Sequence, residues 1–163
     1  RMRELFQEAE LYLTDDEADS RFTVYLKHYE DNWTLFDDVL PCLNALSNRR
    51  LGIISNGNTE QQTKKLYQTG IAERFEIIVV SEEAGVSKPK PDIFLRACRQ
   101  SGVKEGQCYY IGDNLQNDAL AAESVGIQGI WLNRLDMSCS DVIIPVIKNL
   151  DELVAIALLP QNR

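Results

Sequence analysis

Residues 51–58 read Leu-Gly-Ile-Ile-Ser-Asn-Gly-Asn, a short apolar run that breaks into polar turn residues. A continuous apolar run of this kind is typical of a strand that is covered on both faces of a parallel sheet. Residues from about 59 to 68 then have a helical pattern, which ends before Gly70, a residue type that commonly closes helices. The segment therefore predicts a strand that leads directly into a helix, the repeating unit of parallel α/β sheets.

The same unit recurs downstream. Three more strands are predicted, at 77–80, 108–111 and 129–132, with a short fifth strand at 141–144. Helices are predicted at 92–101, 115–125 and 149–159. Apolar strands that alternate with helices predict an α/β fold with a doubly wound parallel sheet of the Rossmann type, and right-handed connections place helices on both of its faces.

The N-terminal part follows another pattern. Residues 2 to about 31 predict two helices without an intervening strand, and a third helix is predicted at about 37–47. Thr14, followed by three acidic residues, is a typical N-cap for the second helix. The predicted buried stripe of that helix consists of Phe22, Val24, Tyr25 and Tyr29. We therefore predict a partial helical cap at 1–34 and an α/β core at 35–163.

Composition excludes several classes of partner. The chain has 163 residues, 44% of them hydrophobic, and a formal net charge of −8. An acidic protein without a basic patch is a poor ligand for nucleic acid or anionic membranes, and no apolar run approaches the roughly 20 residues of a membrane span. The four cysteines lack zinc-site spacing, and three of them lie in apolar stretches typical of buried thiols. Such thiols indicate a reducing compartment, so we expect a cytoplasmic location.

Three predicted strands end in polar residues, where parallel sheets gather their chemistry. The first end is Ser55 to Gly57, where a hydroxyl and backbone N–H groups near a helix N-terminus can bind an anion. The same residues are also common in ordinary turns. The second is residues 87–92, Ser-Lys-Pro-Lys-Pro-Asp, whose prolines are expected to hold the loop extended. A lysine fixed there would neutralise a phosphoryl group, although for this segment taken alone two surface lysines in a proline-rich turn are the better interpretation.

The third polar end is residues 112–118, Gly-Asp-Asn-Leu-Gln-Asn-Asp. Asp113 follows the strand and Asp118 lies about one helical turn later, so the two carboxylates can converge on one point. Paired carboxylates with room for water suit a magnesium ion. The alternative is that Asp113 caps the helix and that Asp118 is a solvated acid in its first turn.

The order of these three segments, each at the end of a successive strand, closely resembles motifs two, three and four of the haloacid dehalogenase (HAD) superfamily. The resemblance runs from about residue 37 to 158. It implies that Ser55 binds the transferring phosphoryl group, while Asn56 and Gly57 shape the backbone beside it. It also implies a helical cap, to which the N-terminal helices are similar.

The remaining roles follow from the same resemblance. Lys88 would stabilise the nucleophile and the charge of the phosphoryl group. Asp113 would bind Mg²⁺, and Asp118 would hold that metal site from the helix. Lys90 falls at a variable position of the family's motif and receives no catalytic role.

One family motif is missing from the sequence. Family members begin with a strand that ends in Asp-x-Asp-x-Thr, whose first aspartate attacks phosphorus and whose second acts as general acid and base. This pattern does not occur in the 163 residues. Because Arg1 precedes Met2, we expect that such a strand lay upstream in the parent protein. We also expect a gap between the strands at 51–54 and 108–111, filled by a bound missing segment, by self-association or by a rearranged sheet.

The leading functional hypothesis is an Mg²⁺-dependent phosphatase that hydrolyses a small phosphorylated metabolite through an aspartyl-phosphate, with the nucleophile absent from this chain. Alone, the chain is expected to bind magnesium poorly and to hydrolyse no phosphate ester. A 2-haloacid dehalogenase shares the fold but needs no metal, so the paired Asp113 and Asp118 argue against it. A catalytically inactive HAD-like binding or regulatory module is favoured only by the missing motif. The substrate stays open, since family specificity resides largely in the cap.

Overall fold

A computed structural model describes residues 13–139 and 143–158. The chain divides into two compact units, 1–34 and 35–163. The interpretation of the first unit as a cap remains a prediction.

The first unit contains helix α1, Asp15–Asp31. Its start is fixed by a capping box: the Glu17 N–H donates to Thr14 Oγ1 at 3.3 Å, and the Thr14 N–H donates to the Glu17 carboxylate at 2.9 Å. Each bond satisfies an N–H group that the helix itself leaves unpaired. The cap predicted at Thr14 is confirmed, whereas the helix predicted before it lies almost entirely outside the described residues.

The predicted buried stripe of α1 is wrong. Phe22, Val24, Tyr25 and Tyr29 are 49%, 56%, 53% and 44% exposed. Phe22 and Tyr25 stack with ring centroids 6.3 Å apart, and Tyr25 and Tyr29 stack at 6.1 Å. Side chains three or four positions apart are neighbours on a helix, so these rings contact one another along one side of α1 while staying half exposed.

The second unit is the α/β core. Its helices are α2 Val39–Ala45, α3 Thr59–Gln68, α4 Ser81–Ala84, α5 Pro91–Ser101, α6 Leu120–Glu123 and α7 Leu150–Leu158. Its strands are β1 Gly52–Ser55, β2 Ile77–Val80, β3 Tyr109–Gly112, β4 Gln128–Leu132 and β5 Val146–Ile147. A π-helical turn, Leu115–Ala119, precedes α6 directly. All strand pairs are parallel, which confirms the predicted α/β class.

Two predicted elements are corrected. The fifth strand lies at Val146–Ile147, where it pairs with Trp131 and Leu132 of β4, and not at 141–144. Residues 143 and 144 are not in a strand, and 141–142 lie outside the described residues. The helix predicted at 115–125 is divided into a π-helical turn and the short helix α6.

The strands form two sheets, β1–β2 and β3–β4–β5. Between β1 and β3 runs a groove of about 1240 Å³. Within the described part of the chain, these two strands exchange no backbone hydrogen bonds. Much of the groove wall is apolar, with contributions from Leu51, Ile54, Phe94, Cys98 and Ile111. The gap predicted between these strands is therefore present.

The groove explains a further correction. The strands predicted at 51–54 and 77–80 were expected to be buried on both faces. In β1, Gly52 is exposed and the other residues are half-buried, and all four residues of β3 are half-buried. The burial is deeper in β2 and β4, where Val80 and Ile130 are each 1% exposed. A strand bordering an open groove keeps one flank accessible, which lowers its burial.

Candidate active site

The loop after β1 is held by its own polar side chains. Asn58 caps α3, with its Oδ1 accepting from the Gln61 N–H at 3.0 Å. Ser55 ends β1, and its hydroxyl donates to Gln62 Oε1 at 3.0 Å. The Ser55 proton therefore already has an acceptor, so binding a phosphoryl group through it requires that this bond be exchanged.

The start of α4, directly after β2, holds the same loop. The Gly57 N–H donates to Ser81 Oγ at 2.9 Å, so it is already engaged within the protein. Glu82 accepts from Asn58 Nδ2 at 2.9 and 3.0 Å and from the Thr59 N–H at 2.8 Å. These bonds, led by the one from the Thr59 N–H, hold the pKa of the Glu82 carboxyl below its ordinary value.

The loop that carries Lys88 is a turn. The Lys90 N–H donates to the Ser87 carbonyl at 3.0 Å, so the loop folds back on itself and the predicted extended conformation is wrong. Lys88 is drawn inward, with its ammonium 2.6 Å from Asp118 Oδ1 and 2.9 Å from the Tyr110 hydroxyl. The Lys88 side chain is only 13% exposed. Lys90, by contrast, is exposed.

Asp118 is a buried acid and not a solvated one, with the residue only 4% exposed. Its second oxygen accepts from the Asn114 N–H at 3.1 Å. Gly112 leaves room for this carboxylate, because a Cβ atom at position 112 would overlap the Asp118 side chain. The site therefore depends on a glycine at the end of β3 as well as on the acid itself.

Asp113 is placed differently. It follows β3 directly and is exposed, while its backbone carbonyl accepts from Trp131 Nε1 at 3.0 Å. Its charge adds to the effects that raise the pKa of Tyr110, so the two side chains lie within electrostatic range. The structure thus joins Lys88 and Asp118 directly and leaves Asp113 at the solvent side.

Tyr110 is a site residue that the sequence reasoning missed. Its hydroxyl donates to the Ile54 carbonyl at 3.3 Å, which spans the groove from β3 to β1. Burial and then the charge of Asp118 raise the pKa of Tyr110 well above its ordinary value. Phe94 packs edge-on against the ring, with centroids 5.0 Å apart. The available signal was a phenol within an apolar strand, because such a hydroxyl needs a partner when buried.

Two carboxylates of the site are candidate magnesium ligands. Asp113 and Asp118 supply the hard oxygen atoms that Mg²⁺ prefers. However, both Asp118 oxygens are engaged, by Lys88 and by the Asn114 N–H. Among the described residues, no group of three or more His, Cys, Asp or Glu side chains is arranged to hold a metal. These residues alone do not fit a complete magnesium site.

Comparison with known proteins decides the family. The model of haloacid dehalogenase-like hydrolases matches residues 2–126. The chain belongs to this family. Among curated relatives, glyceraldehyde 3-phosphate phosphatase of Methanopyrus kandleri is 37% identical over 118 residues, which cover 71% of this chain and 47% of that protein. This HAD-like chain spans about half the length of the curated relatives it matches.

Solved structures agree with this assignment. HAD-hydrolase YfnB of Bacillus subtilis, bound to magnesium, matches with a TM-score of 0.81 and 26% identity, covering 94% of this chain and 67% of that one. A 2-haloacid dehalogenase from Pseudomonas syringae matches with a TM-score of 0.73 and 29% identity, covering 92% and 65%. The fold is therefore shared with a dehalogenase, while the curated relatives include phosphatases.

None of the helices among the described residues combines the length and the apolar character needed to cross a bilayer.

Proposed function

We propose that this HAD-like chain forms most of the active site of a phosphatase that acts on a small phosphorylated metabolite through an aspartyl-phosphate. The supporting observation is the buried pair of Lys88 and Asp118, 2.6 Å apart, beside the ends of β1 and β3. A lysine held in this way offers a fixed positive charge to a transferring phosphoryl group without reorganisation during the reaction.

The neighbouring residues have complementary proposed roles. Asp118 holds the Lys88 ammonium in place, and Ser55 binds a phosphoryl oxygen once its hydroxyl leaves Gln62. Asn56 and Gly57 shape the loop beside that oxygen. Asp113, exposed at the end of β3, contributes a carboxylate to a magnesium site that needs further ligands from outside the described residues. When bound, the metal supplies charge neutralisation at the phosphoryl group.

The nucleophile is proposed to enter on a strand that occupies the groove. A parallel strand between β1 and β3 would bring its carboxyl end to the edge where Ser55 and Gly112 end those strands. An Asp-x-Asp-x-Thr sequence at that end would place a carboxylate near Lys88. The groove, with its volume of about 1240 Å³ and largely apolar wall, supports this arrangement.

Two other functions stay as alternatives. A 2-haloacid dehalogenase shares the fold, as the Pseudomonas syringae structure illustrates. If no carboxylate reaches Lys88, the remaining hypothesis is an inactive binding or regulatory module. The proposed cytoplasmic location rests on the cysteines, of which Cys42 and Cys98 are buried free thiols. Burial raises the pKa of Cys98 to about 11, which keeps it protonated and unreactive.

Activity measurements on the chain with and without the missing strand test this proposal. We expect no hydrolysis of an aryl phosphate by the 163-residue chain alone. A synthetic peptide with an apolar strand followed by Asp-x-Asp-x-Thr should produce magnesium-dependent hydrolysis, and a panel of phosphorylated metabolites should then identify the substrate. The matched control carries asparagine at the first aspartate and should be inactive.

The opposite outcomes are equally informative. Halide release from 2-haloacids by the reconstituted protein, without phosphate release, would establish the dehalogenase. Tight binding of the peptide with neither activity would favour the regulatory module. Hydrolysis by verified chain alone would contradict the need for an added nucleophile.

A further inference from the structure

Two loops of the candidate active site meet at Asn56. The Lys88 N–H donates to Asn56 Oδ1 at 2.8 Å, and Asn56 Nδ2 donates to the Lys88 carbonyl at 3.0 Å. A backbone N–H can only donate and a carbonyl can only accept, so the orientation of this amide is fixed by its partners. Both polar ends of the Asn56 side chain are therefore used on one residue.

The two hydrogen bonds from Asn56 hold the backbone of Lys88, the residue whose ammonium enters the site. Asn56 follows Ser55, the last residue of β1, so the two bonds tie the backbone of Lys88 to the end of a strand. At the other end of the same side chain, the ammonium lies 2.6 Å from Asp118 Oδ1. Lys88 is thus anchored at its backbone by one loop and at its tip by the π-helical turn, which restricts the positions of the charge.

We propose that Asn56 is a positioning residue for Lys88. The inference deepens the proposed function and rests on it, because the catalytic role of Lys88 is part of that proposal. Both polar ends of this amide bind the Lys88 backbone, and these two bonds fix the direction of the one Nδ2 N–H that they leave over. Its contribution is to hold the Lys88 peptide.

Asn58 provides a matched comparison within the same loop. It is also an exposed asparagine with both polar ends of its amide engaged, but its partners are Glu82 and the Gln61 N–H. Replacing it removes the N-cap of α3 without touching Lys88. A general loss of loop structure should therefore follow from replacing either asparagine. Greater exposure of the Lys88 ammonium should follow only from replacing Asn56.

The test is reductive methylation of lysines with formaldehyde and a borohydride reagent, quantified by mass spectrometry on the folded 163-residue chain. The measured quantity is the ratio of Lys88 to Lys90 modification, since Lys90 lies two residues away and is exposed. Asn56→Ala should raise this ratio about tenfold, because two hydrogen bonds are lost. Asn56→Asp keeps the acceptor and loses the donor, so an intermediate rise is expected.

The control and the contrary results are defined by the same ratio. Asn58→Ala should lower the melting temperature and leave the ratio within about twofold of the wild type. An unchanged ratio in both Asn56 variants, or an equal rise in Asn58→Ala, would overturn the proposal. If Asn56→Ala does not fold, the Asn56→Asp result decides. Labelling needs no turnover, so the expected labelling would be the same even if the chain were not a phosphatase. Failure of the positioning role and failure of the phosphatase proposal are therefore distinguishable.

Discussion

At the scale of single residues, the pair of Lys88 and Asp118 has consequences for folding as well as for chemistry. Their side chains are 13% and 6% exposed, so each charge has lost most of its water. Such a pair is costly to assemble and more costly to break, because removing one partner leaves the other charge buried and uncompensated. The catalytic assignment of Lys88 therefore cannot be tested by activity alone.

Replacing Lys88 tests this coupling. Lys88→Met should lower the free energy of unfolding by about 3 kcal/mol, since the Asp118 carboxylate loses its counter-charge. Adding Asp118→Asn to that variant should restore part of the loss, because the buried group is then neutral. Urea unfolding of the two single variants and the double variant measures the interaction. Lys90→Met, at an exposed position, should stay within about 0.5 kcal/mol of the wild type, and a similar loss there would argue against the pair.

Asp38 predicts a dependence of stability on pH. Its carboxylate accepts from Arg134 at 2.8 and 2.9 Å and from the Leu150 N–H at 2.8 Å, which joins the start of α2 to the loop after β4 and to the start of α7. The Arg134 hydrogen bonds are the main cause that holds the pKa of Asp38 below its ordinary 3.8. A depressed pKa stabilises the fold above the unfolded-state value, and that contribution is lost as pH falls below it.

We therefore expect the wild-type free energy of unfolding to decrease as pH falls below about 4, with Asp38→Asn showing a flatter profile. At neutral pH, Asp38→Asn should cost about 2 kcal/mol through its weakened charge-assisted bonds. Urea unfolding at several pH values measures both effects. Asp37→Asn, at the exposed neighbouring position, is the control, and identical profiles for the Asp38 variant and the wild type would contradict the assignment.

At the scale of elements, the π-helical turn Leu115–Ala119 determines the depth of Asp118. The turn lies so close to β4 that a Cβ atom at Gly129 would overlap the backbone of Ala119. Gly129 also donates its N–H to Glu123 Oε1 at 2.8 Å, which joins β4 to α6. The glycine thus permits a close approach of strand and turn, and this approach fixes the turn that presents Asp118.

Gly129→Ala tests that approach. The added methyl meets backbone and not a movable side chain, so we expect a destabilisation of about 3 kcal/mol. Gly106→Ala is the control, because a Cβ there meets no atom within 4 Å and the backbone needs no left-handed conformation. Thermal unfolding of both variants is the measurement. Equal melting temperatures for Gly129→Ala and Gly106→Ala would show that the turn can move away from β4.

At the scale of the whole core, the groove separates two sheets that would be one if a strand lay between them. Half-burial of β1 and β3 follows from it, and so does the position of Tyr110, whose hydroxyl reaches across to Ile54. Unpaired strand edges bind extended segments readily, because each exposes backbone donors and acceptors. A strand in the groove would also remove apolar surface from water.

Addition of the apolar strand peptide should raise the melting temperature of the chain in a concentration-dependent way. At a free peptide concentration of about 100 times the dissociation constant, the expected stabilisation is about 2.7 kcal/mol. A peptide with proline at its central position is the control, since it lacks an N–H for the sheet and should bind weakly. Equal shifts with both peptides would indicate nonspecific binding. The absence of a shift at saturating concentrations would exclude the groove as a strand site.

The sequence by itself determined the local structure and the family. The bounds predicted for α3 and β2 match the structure, because a capping asparagine, a closing glycine and a short apolar run act through near neighbours. The spacing of Ser55, Lys88, Asp113 and Asp118 along successive strands was enough to indicate the HAD-like fold. The gap between β1 and β3 also followed from the sequence, through the absence of one strand motif.

The tertiary structure decided which of these groups meet and which are already engaged. Lys88 contacts Asp118 and Tyr110, Asn56 holds the Lys88 backbone, and Gln62 accepts the Ser55 proton. Gln62 lies seven residues from Ser55, whereas the partners of Lys88 lie 22 to 32 residues from it, and no local pattern encodes the distances between them. Likewise, the half-exposure of the aromatic residues of α1 depends on what packs against the helix, whereas periodicity only shows that they share one side of it. Local propensity fixes the elements, and long-range packing fixes the hydrogen-bond partners and the burial.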